Sequence, residues 1–284
     1  MKIAIAGYSG FIGSHLSDFL SHHGHSIVKI SRLDLERSNN LKAKLNSIDA
    51  VINLCGSPIY GSWSESGKKR IIDSRILTTR AFNTVIEELE IKPKIFINAS
   101  AVGIYDNDNV HDDESLAYGI SFPSQVVQMW ESEFYNFNID VVRKVSIRMG
   151  IVIDKRGGFF KKIYQFRHYG FLPVISNDEA AFPLIVLNDL LKIFEFSLVN
   201  DKVKGPVNAV LPMPITSGDF YYKIRSYSPF VFIFRLKPKY LVPFLGERIL
   251  RLTENPIVFP RKLLELGFKF DIPDIDCYLK KLRG

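Results

Sequence analysis

Three glycines at a spacing of three residues, Gly7, Gly10 and Gly13, separate an apolar run from a helix-like segment near the start of the chain. The run KIAIA is typical of a buried strand, and FIGSHLSDFLSHH has a helical pattern that ends at Gly24. In such a unit the first glycine permits a sharp turn, the second lets the backbone approach a diphosphate, and the third lets the helix pack tightly on the sheet. The pattern predicts a dinucleotide site at the amino end of the helix, the alternative being a tight turn without a ligand.

Strand-like and helix-like segments continue to alternate through the first two thirds of the chain. Further strands are predicted for HSIVKISR, DAVINLCG, KIFINASA and DVVRKVSIRMGIVI, and further helices for NNLKAKLNSI, SESGKKRIIDSRILTTRAFNTVIEELE and SQVVQMWESEFYNF. This alternation predicts the α/β class, with a Rossmann-type doubly wound parallel sheet. Prolines punctuate the sequence after KGPVNAVLP. We therefore expect a large domain over 1–211, in which segments after 150 contribute to the substrate side, and a smaller mixed C-terminal domain over 212–284.

The end of the second strand indicates which dinucleotide is bound. A site of this type carries the residue that binds the adenosine ribose about 20 residues after the glycines, and an NAD-selective site usually has an acidic side chain there. Here the place is held by Ser31 and Arg32. Because a guanidinium pairs with a 2′-phosphate and stacks on adenine, Arg32 predicts NADP rather than NAD. Two alternatives stay open. In the first, a small change of register brings Asp34 to the ribose and favours NAD. In the second, Arg32 is an ordinary surface arginine with no role in cofactor binding.

The third strand ends at Leu54, Cys55 and Gly56, where small residues would let the backbone pass under the cofactor. No nearby base is evident for Cys55, so we interpret it as a packing residue rather than a nucleophile. The second cysteine, Cys277, is far away in sequence, and two buried thiols in a reducing cytosol are favoured over one disulfide. No Cys/His cluster has the spacing of a metal site, so no metal is predicted.

The formal net charge is +7, and most of the excess lies in 222–284, with 13 Lys and Arg against 6 Asp and Glu. Because these cations are scattered through apolar sequence, a solvated face or a pocket for an anionic ligand is favoured over a nucleic-acid surface. No apolar stretch reaches the roughly 18 residues of a membrane span, and the features of a secretory signal are missing. We expect a cytoplasmic protein that binds neither nucleic acid nor membrane.

Seven segments, spread over nearly the whole chain, carry a resemblance to a known group of proteins: GYSGFIGSHL, DAVINLCGSPI, DSRILTTRAF, NASAVGIY, RMGIVIDKRGG, KGPVNAVLPMPIT and FPRKLLELGFKF. The chain resembles the extended branch of the short-chain dehydrogenase/reductase superfamily. Within it, the chain is similar to an atypical NAD(P)-dependent epimerase/dehydratase-like group, the "epimerase family proteins", which have a C-terminal domain of unknown function. The resemblance implies an NAD(P)-binding Rossmann domain and a small-molecule substrate. It also makes a homodimer an available assembly, since dimers are common in that superfamily.

The residues of the superfamily's usual proton-transfer site are absent here. In the superfamily a tyrosine is the acid/base, a lysine four residues later lowers its pKa, and a Ser or Thr holds the substrate oxygen. With Glu131 as the register mark, the resemblance places the Tyr and Lys positions at Pro123 and Val127. Neither side chain carries a titratable group, so any chemistry needs other residues.

The best remaining polar candidates are Ser100 and Tyr105, near the carboxyl end of the strand KIFINASA, where ligands of open α/β sheets bind. Each is a candidate to hydrogen-bond a substrate oxygen. The alternatives are a small packing residue for Ser100 and a structural hydroxyl for Tyr105. Counted back from Tyr105, the superfamily's hydroxyl position falls on Ala101 rather than on Ser100. Glu131 is a candidate base, although a salt bridge along its helix is favoured.

Two arginines complete the predicted site. Arg75 lies on the helix after the third strand, which passes the cofactor in the resembling branch, and is predicted to hold a phosphate or a substrate charge; the alternative is an i,i+4 pair with a carboxylate. Arg148, at the end of the strand VSIRMG, would lie on the nicotinamide side. The predicted cofactor-binding residues are Gly7, Ser9, Gly10, Phe11, Ile12, Gly13, Ser31, Arg32, Leu54, Cys55, Gly56 and Arg75.

Together these features predict an NADP(H)-binding, epimerase/dehydratase-like oxidoreductase that acts on a small carbonyl or alcohol, or on a nucleotide-sugar-like compound. The alternative is a non-catalytic NADP(H)-binding regulatory or sensor protein. The loss of the Tyr and Lys favours that alternative. A departure from the pattern of the epimerase family proteins favours the same alternative. The positions that carry Trp and His in that pattern are Ala181, Leu184 and Val186 here, whereas its aspartate is kept as Asp189.

Overall fold

A computed structural model describes residues 1–59, 61–136, 139–166, 170–175, 177–227, 232–237, 240 and 255–282. Two compact units make up this part of the chain. The first comprises Met1–Ile104, Phe122–Arg148 and Leu191–Val207, and the second comprises Tyr105–Ser121, Met149–Leu190 and Asn208–Gly284. The segment 212–284, expected to be the smaller domain, lies in the second unit together with two earlier segments.

Strands and helices alternate along the chain much as the sequence predicts. The strands are β1 Lys2–Ala6, β2 Ser26–Ile30, β3 Ala50–Asn53, β4 Ile95–Ala101, β5 Val110–His111, β6 Arg143–Met149, β7 Ile151–Ile153, β8 Phe171–Ile175, β9 Leu184–Val186, β10 Gly205–Ala209, β11 Phe232–Leu236 and β12 Ile257–Val258. The helices are α1 Phe11–His22, α2 Arg32–Leu35, α3 Ser38–Leu45, α4 Glu65–Glu88, α5 Phe122–Tyr135, α6 Gly158–Phe166, α7 Leu187–Val199, α8 Ser217–Tyr227, α9 Arg261–Glu265 and α10 Ile275–Lys281.

The central sheet confirms the predicted Rossmann-type α/β fold. Its six strands have the order β10–β6–β4–β3–β1–β2, and the pairs β2–β1, β1–β3 and β3–β4 are parallel. The chain leaves β1 towards β2 on one side and returns to β3 on the other. Because crossovers between parallel strands are right-handed, this reversal places the connecting helices on opposite faces. It also opens a crevice outside the carboxyl ends of β1 and β3, where such sheets bind ligands.

The core of the first unit forms because its strands are apolar on both faces. In β1, Ile3–Ala6 is fully buried, as expected for a central strand of a parallel sheet. On one face, apolar residues of α3, α4 and α5 cover the strands. The ring of Phe96 from β4 lies between those of Phe82 and Phe134, at centroid distances of 5.6 and 5.0 Å. This packing fixes α4 and α5 against the strands whose ends form the crevice.

One predicted strand is divided in two. The run DVVRKVSIRMGIVI forms β6 in the central sheet and β7, which pairs with β9 in a separate two-stranded sheet. The break falls at Gly150, whose N–H donates to the carbonyl of Ala209 while the N–H of Ile151 donates to that of Pro183. A Cβ at Gly150 would lie 2.5 Å from the Pro183 oxygen, so the close approach of the two backbones requires glycine here.

In the second unit, buried carboxylates hold the C-terminal segment. Asp189, fully buried, accepts hydrogen bonds from the backbone N–H groups of Asp271 and Ile272, both at 3.0 Å. This accounts physically for the aspartate kept at that position.

Of the helices in the described part of the chain, none combines the length and hydropathy needed to cross a bilayer.

Candidate cofactor site

The glycine turn after β1 has the steric properties predicted for it. Gly7 has φ +78°, a conformation that side-chain-bearing residues rarely adopt, and a Cβ there would lie 2.9 Å from the carbonyl of Leu54. A Cβ at Gly13 would lie 2.1 Å from the Gly7 oxygen, so α1 packs on the turn with no room for a side chain. The N–H of Gly10 closes the turn by donating to the Gly7 carbonyl at 3.0 Å.

The amino end of α1 is open to an anion. The helix begins at Phe11 with Gly10 as its N-cap, no side chain caps it, and its first turn holds no acidic residue. The N–H groups of Phe11, Ile12 and Gly13 come before the first intrahelical bond, which Ser14 makes to Gly10. These donors and the helix dipole together favour a negatively charged group at this position.

The end of β2 holds a short helix that the sequence prediction missed. Ser31 caps α2: its side chain accepts from the N–H of Asp34 at 3.3 Å, and its own N–H donates to Asp34 Oδ2 at 2.7 Å. Ser31 Oγ and Lys44 Nζ also donate to that oxygen, at 2.5 and 2.8 Å. Burial alone would raise the pKa of Asp34, but the bonds from Lys44 and Ser31 outweigh it and hold this pKa below its ordinary value. The carboxylate is thus occupied by protein donors.

Arg32, the first residue of α2, is exposed and forms no ion pair with any residue that the structure describes. It lies close enough to Cys55 for its charge to favour the thiolate there. Burial nevertheless prevails and raises the pKa of Cys55 to about 11. Cys55 is therefore a neutral thiol near pH 7, as expected for a packing residue. Both Cys55 and Cys277 are free thiols, and both are half-buried rather than buried as expected. The described residues contain no group of His, Cys, Asp and Glu suited to a metal.

The environment of Arg75 differs from the i,i+4 pair with a carboxylate that was the alternative to a role in anion binding. Its Nη1 donates to the carbonyl oxygens of Ser57 and Ile71 at 3.0 and 2.9 Å, and no carboxylate of the described residues pairs with it. Its guanidinium carbon lies 5.1 Å from the centre of the Trp130 ring. Burial lowers the pKa of Arg75 to about 10. The i,i+4 pair with a carboxylate is therefore absent, because the residue one turn earlier offers only its backbone oxygen.

A polar network ties the ends of β3 and β4 to the two helices that cover them. Asn53 Nδ2 donates to Asn98 Oδ1 at 2.8 Å and to Thr79 Oγ1 at 3.2 Å, and its own Oδ1 accepts from the N–H of Cys55. Trp130 Nε1 donates to the same Thr79 oxygen at 2.9 Å. These buried, mutually satisfied bonds fix the loop after β3 and the Trp130 ring.

Ser100, Glu131 and Arg148 form a buried cluster. The guanidinium of Arg148 binds Glu131 through two bonds, 2.8 Å from Nε to Oε1 and 2.6 Å from Nη2 to Oε2. Ser100 Oγ donates to Glu131 Oε1 at 2.5 Å. The residues are 1%, 5% and 1% exposed for Ser100, Glu131 and Arg148. The interpretation of Glu131 as a salt-bridge residue along its own helix is wrong, because its partner Arg148 is on β6. Since both charges are buried, they must pair closely, and the two parallel bonds between them meet this requirement.

Tyr105, in the second unit, is also buried. Its hydroxyl lies 2.8 Å from the carbonyl oxygen of Asp112 and 2.9 Å from Oδ1 of Asn208, and its ring stacks on His111 with centroids 4.5 Å apart. It is 2% exposed. In the described structure the hydroxyl of Tyr105, like that of Ser100, is bonded to protein acceptors.

The positions at which the chain departs from the subgroup pattern lie in an apolar part of the second unit. Ala181 and Leu184 line a pocket together with Phe182, Val210, Met213 and Ile257. An aromatic or imidazole side chain at either position would have supplied a polar or stacking group there. Apart from the ring of Phe182, these walls are aliphatic side chains, which favour hydrophobic contact with a ligand.

The chain is similar to a known protein family, to relatives from several organisms and to a solved structure. The profile of the NAD dependent epimerase/dehydratase family matches residues 3–124. Epimerase family protein YfhF of Bacillus subtilis is 28% identical over 99% of this chain and 98% of its own, and epimerase family protein ML0860 of Mycobacterium leprae is 31% identical over 77% and 74%. The crystal structure of human epimerase family protein SDR39U1 (isoform 2) with NADPH has a TM-score of 0.89 at 26% identity, covering 99% of this chain and 98% of that one.

Proposed function

Because this chain belongs to the NAD-dependent epimerase/dehydratase family, we propose that it binds NADPH at the carboxyl ends of β1 and β2 and acts as an oxidoreductase on a carbonyl or alcohol carbon. The observation that carries the proposal is the glycine turn. Between Gly7 and Gly13 it leaves backbone donors open and excludes side chains, which is what a diphosphate requires. The human relative that was crystallised with NADPH supports the choice of cofactor.

The diphosphate would lie against the turn and the first residues of α1, with Ser9 exposed beside them. Leu54, Cys55 and Gly56 would form the adjacent wall, since the carbonyl of Leu54 already contacts the Gly7 turn. A negative charge at this position would gain about 0.3–1 kcal/mol from the helix dipole, in addition to the bonds from the N–H groups. Because backbone atoms would form this diphosphate site, the site does not depend on the Tyr and Lys side chains of the superfamily that the chain lacks.

NADP is favoured over NAD by two features of the β2 end. Arg32 is exposed and has no carboxylate partner in the described part of the chain, so its guanidinium is available to a 2′-phosphate. Asp34, the residue that would favour NAD, accepts hydrogen bonds from Ser31 and Lys44 instead of from a ribose hydroxyl. A 2′-phosphate would therefore meet a cation rather than a free carboxylate.

Titration calorimetry with NADPH and NADH tests this assignment. A charge-assisted hydrogen bond contributes about 1.5–3 kcal/mol, so Arg32→Ala should weaken NADPH binding roughly 10- to 100-fold and leave NADH binding unchanged. Arg37→Ala is the matched control, because Arg37 is a nearby exposed arginine, and it should leave both affinities unchanged. An unaltered NADPH-to-NADH ratio in Arg32→Ala would refute the role given to this residue.

When bound, NADPH supplies a hydride at C4 of its nicotinamide ring. The substrate oxygen must gain a proton during reduction and lose one during oxidation. Ser100 offers a route: in oxidation, Oγ takes the substrate's hydroxyl proton while its own proton passes to Glu131 Oε1, 2.5 Å away, and reduction reverses both transfers. Tyr105 and water are the other candidate donors.

A second candidate is a non-catalytic NADPH-binding protein that uses the cofactor as a structural or sensing ligand. The burial of the Ser100 and Tyr105 hydroxyls favours it, since both are bonded to protein groups. The two candidates are separated by following the absorbance of the reduced nicotinamide with a panel of sugars, ketones and aldehydes. Turnover that Ser100→Ala or Tyr105→Phe abolishes supports the oxidoreductase. Tight NADPH binding with no turnover in any class supports the second candidate.

A further inference from the structure

The pocket in the second unit is lined by apolar residues alone in the described part of the chain. We propose that this pocket binds the unbranched alkyl end of a ligand, which makes the substrate an aliphatic carbonyl or alcohol compound rather than a nucleotide sugar. The inference rests on the proposed function where it assigns the alkyl group to the substrate. The alkyl site itself rests on the lining of the pocket.

The pocket lies where two facing segments of the second unit differ in length. The N–H of Phe182 donates to the carbonyl of Ile215 at 2.8 Å, and the N–H of Leu211 donates to the carbonyl of Leu184 at 2.6 Å. Between these two bonds one segment has a single residue, whereas the other has three, 212–214. The longer segment therefore bows away from the shorter one, which opens the pocket that both segments line.

The pocket offers a ligand few hydrogen-bonding groups. Three of its lining residues are prolines, which have no backbone N–H donor. The carbonyl oxygens of Pro183, Leu184 and Ile215 already accept from backbone N–H groups, at 2.7, 2.6 and 2.8 Å. A polar group of a ligand would lose its hydrogen bonds to water here and find few in return, which is costly. A hydrocarbon group has no such bonds to lose, so the lining selects an alkyl group.

The shape of the walls favours a narrow group. Each of the three segments that line the pocket contributes one proline, namely Pro183, Pro214 and Pro256. Because the proline ring fixes one backbone dihedral angle, these walls resist widening. An unbranched chain is the narrowest alkyl shape, so we expect it to enter where a branched chain or a ring does not.

The apolar lining continues from a buried floor to an exposed rim. Leu184, Val210 and Val258 are buried, whereas Ile257 is 40% and Met213 59% exposed. An apolar surface of this kind, left open to water beside an apolar pocket, is typical of a binding site. A bound alkyl chain would cover Ile257 and Met213, and the apolar area removed from water would stabilise the complex.

The floor of the pocket begins where two strands of the central sheet end. Val210 follows β10 directly, and Gly150 follows β6. The N–H of Gly150 donates to the carbonyl of Ala209 at 3.0 Å, so the two carboxyl ends lie side by side. A Cβ at Gly150 would lie 3.0 Å from Cγ1 of Val210, so glycine leaves this side chain its place in the floor. Since open α/β sheets bind ligands outside the carboxyl ends of their strands, the position fits one end of a substrate.

Nuclear magnetic resonance of protein labelled with carbon-13 at the methionine methyl groups tests the site without turnover. The chain has four methionines, and the signal lost in Met213→Leu is that of the rim residue. 1-Hexanol should shift this signal saturably, and binding should tighten about fourfold for each carbon from 1-butanol to 1-hexanol. 1,6-Hexanediol, which would carry a second hydroxyl into the pocket, and cyclohexanol, which has a ring, should each bind at least about tenfold more weakly.

Two variants of the lining test whether the alcohol binds in this pocket. Ala181→Leu fills part of the space and should abolish the response of the Met213 signal to 1-hexanol. Should that variant not fold, Ile257→Ser removes apolar area from the exposed rim and should weaken 1-hexanol at least about fourfold. Leu264→Ser is the matched control, because Leu264 has a similar exposure of 48% and is not a lining residue, and it should leave the binding unchanged.

Turnover tests whether the alkyl group belongs to the substrate. With NADPH bound, kcat/KM for linear aldehydes should rise about fourfold for each carbon from propanal to hexanal, and Ala181→Leu or Ile257→Ser should reduce this rise. The absorbance of the reduced nicotinamide follows the reaction.

Each part of the inference has its own contradicting result. Equal responses to 1-hexanol and 1,6-hexanediol, or 1-hexanol binding that neither Ala181→Leu nor Ile257→Ser weakens, would overturn the alkyl site and leave the proposed function intact. Aldehyde turnover that does not depend on chain length would overturn the assignment of the alkyl group to the substrate. Selective binding of 1-hexanol without turnover of any aldehyde would support the alkyl site and count against the proposed oxidoreductase.

Discussion

Replacing Glu131 by Gln should destabilise the protein strongly, because it removes the negative charge that the buried Arg148 guanidinium binds. The side chains of Arg148 and Glu131 are 1% and 7% exposed, and their two bonds of 2.8 and 2.6 Å leave no room for water between them. Gln keeps the shape and one acceptor but removes the negative charge. The change therefore isolates the electrostatic part of the cluster that also holds Ser100.

The size of the effect follows from the burial. Breaking a buried ion pair by removing one partner costs about 3–5 kcal/mol, which is a large share of the roughly 5–15 kcal/mol that stabilises a typical domain. For a chain of this size the midpoint of thermal unfolding should fall by roughly 6–15 °C. Glu133→Gln is the matched control two residues further along α5. Its partner Arg80 is 58% exposed at the side chain, so the cost should stay below about 1 kcal/mol.

Urea unfolding, followed by far-ultraviolet circular dichroism, measures these free energies. A double variant, Glu131→Leu with Arg148→Met, removes both charges and should recover at least about 2 kcal/mol relative to Glu131→Gln, because no unpaired charge is left buried. A cost below about 1 kcal/mol for Glu131→Gln would contradict this role of the ion pair. So would a double variant that loses as much stability as Glu131→Leu and Arg148→Met lose in total when each is measured alone.

Two further changes probe the cofactor site. Gly13→Ala places a Cβ 2.1 Å from the Gly7 oxygen and should displace α1, which lowers the stability by about 1–3 kcal/mol and removes most of the NADPH affinity. Gly103→Ala is the control, because a Cβ there meets nothing within 4 Å, and it should change neither the stability nor the affinity. Urea unfolding measures the stability of the two variants, and calorimetry measures their NADPH affinity. Asp34 has a lowered pKa, so the stability it contributes is present above its ordinary value of 3.8 and is lost as the pH falls through the folded-state pKa. Lys44→Met should make the urea midpoint less dependent on pH between about 2 and 5, and an unchanged pH profile would contradict the role given to Lys44.

The glycine turn and the order of strands and helices could be predicted from sequence because they depend on local properties. Gly7 and Gly13 are required by contacts within one strand, one turn and one helix, and their spacing displays that requirement directly. The apolar runs of β1, β3 and β4 are likewise visible because both faces of a central parallel strand are buried.

Contacts between distant segments could not be predicted in the same way. Glu131 was expected to pair along its own helix, yet its partner Arg148 comes from β6 and its second donor Ser100 from β4. Which side chains meet there depends on strand order and side-chain conformation, which periodicity does not encode. The placement of Arg75 against Gly56 and Trp130 depends on the packing of α4 on α5 for the same reason.

Two missed features did have sequence signals. Ser31 and Asp34 are spaced as a capping box, which predicts the amino end of a helix, although the four-residue α2 is too short to show a period. Gly150 interrupts an otherwise continuous strand pattern, and an isolated glycine there signals a close backbone approach. Ser31 lies at the end of β2, next to the proposed cofactor site, and Gly150 marks the break between β6 and β7.

Calorimetric titration of the purified wild-type protein with NADPH and with NADH tests the proposed cofactor site directly. We predict saturable binding of one NADPH per chain, with NADH weaker by at least about tenfold because it lacks the 2′-phosphate that Arg32 would bind. Heats indistinguishable from dilution for both nucleotides at millimolar concentration would contradict it.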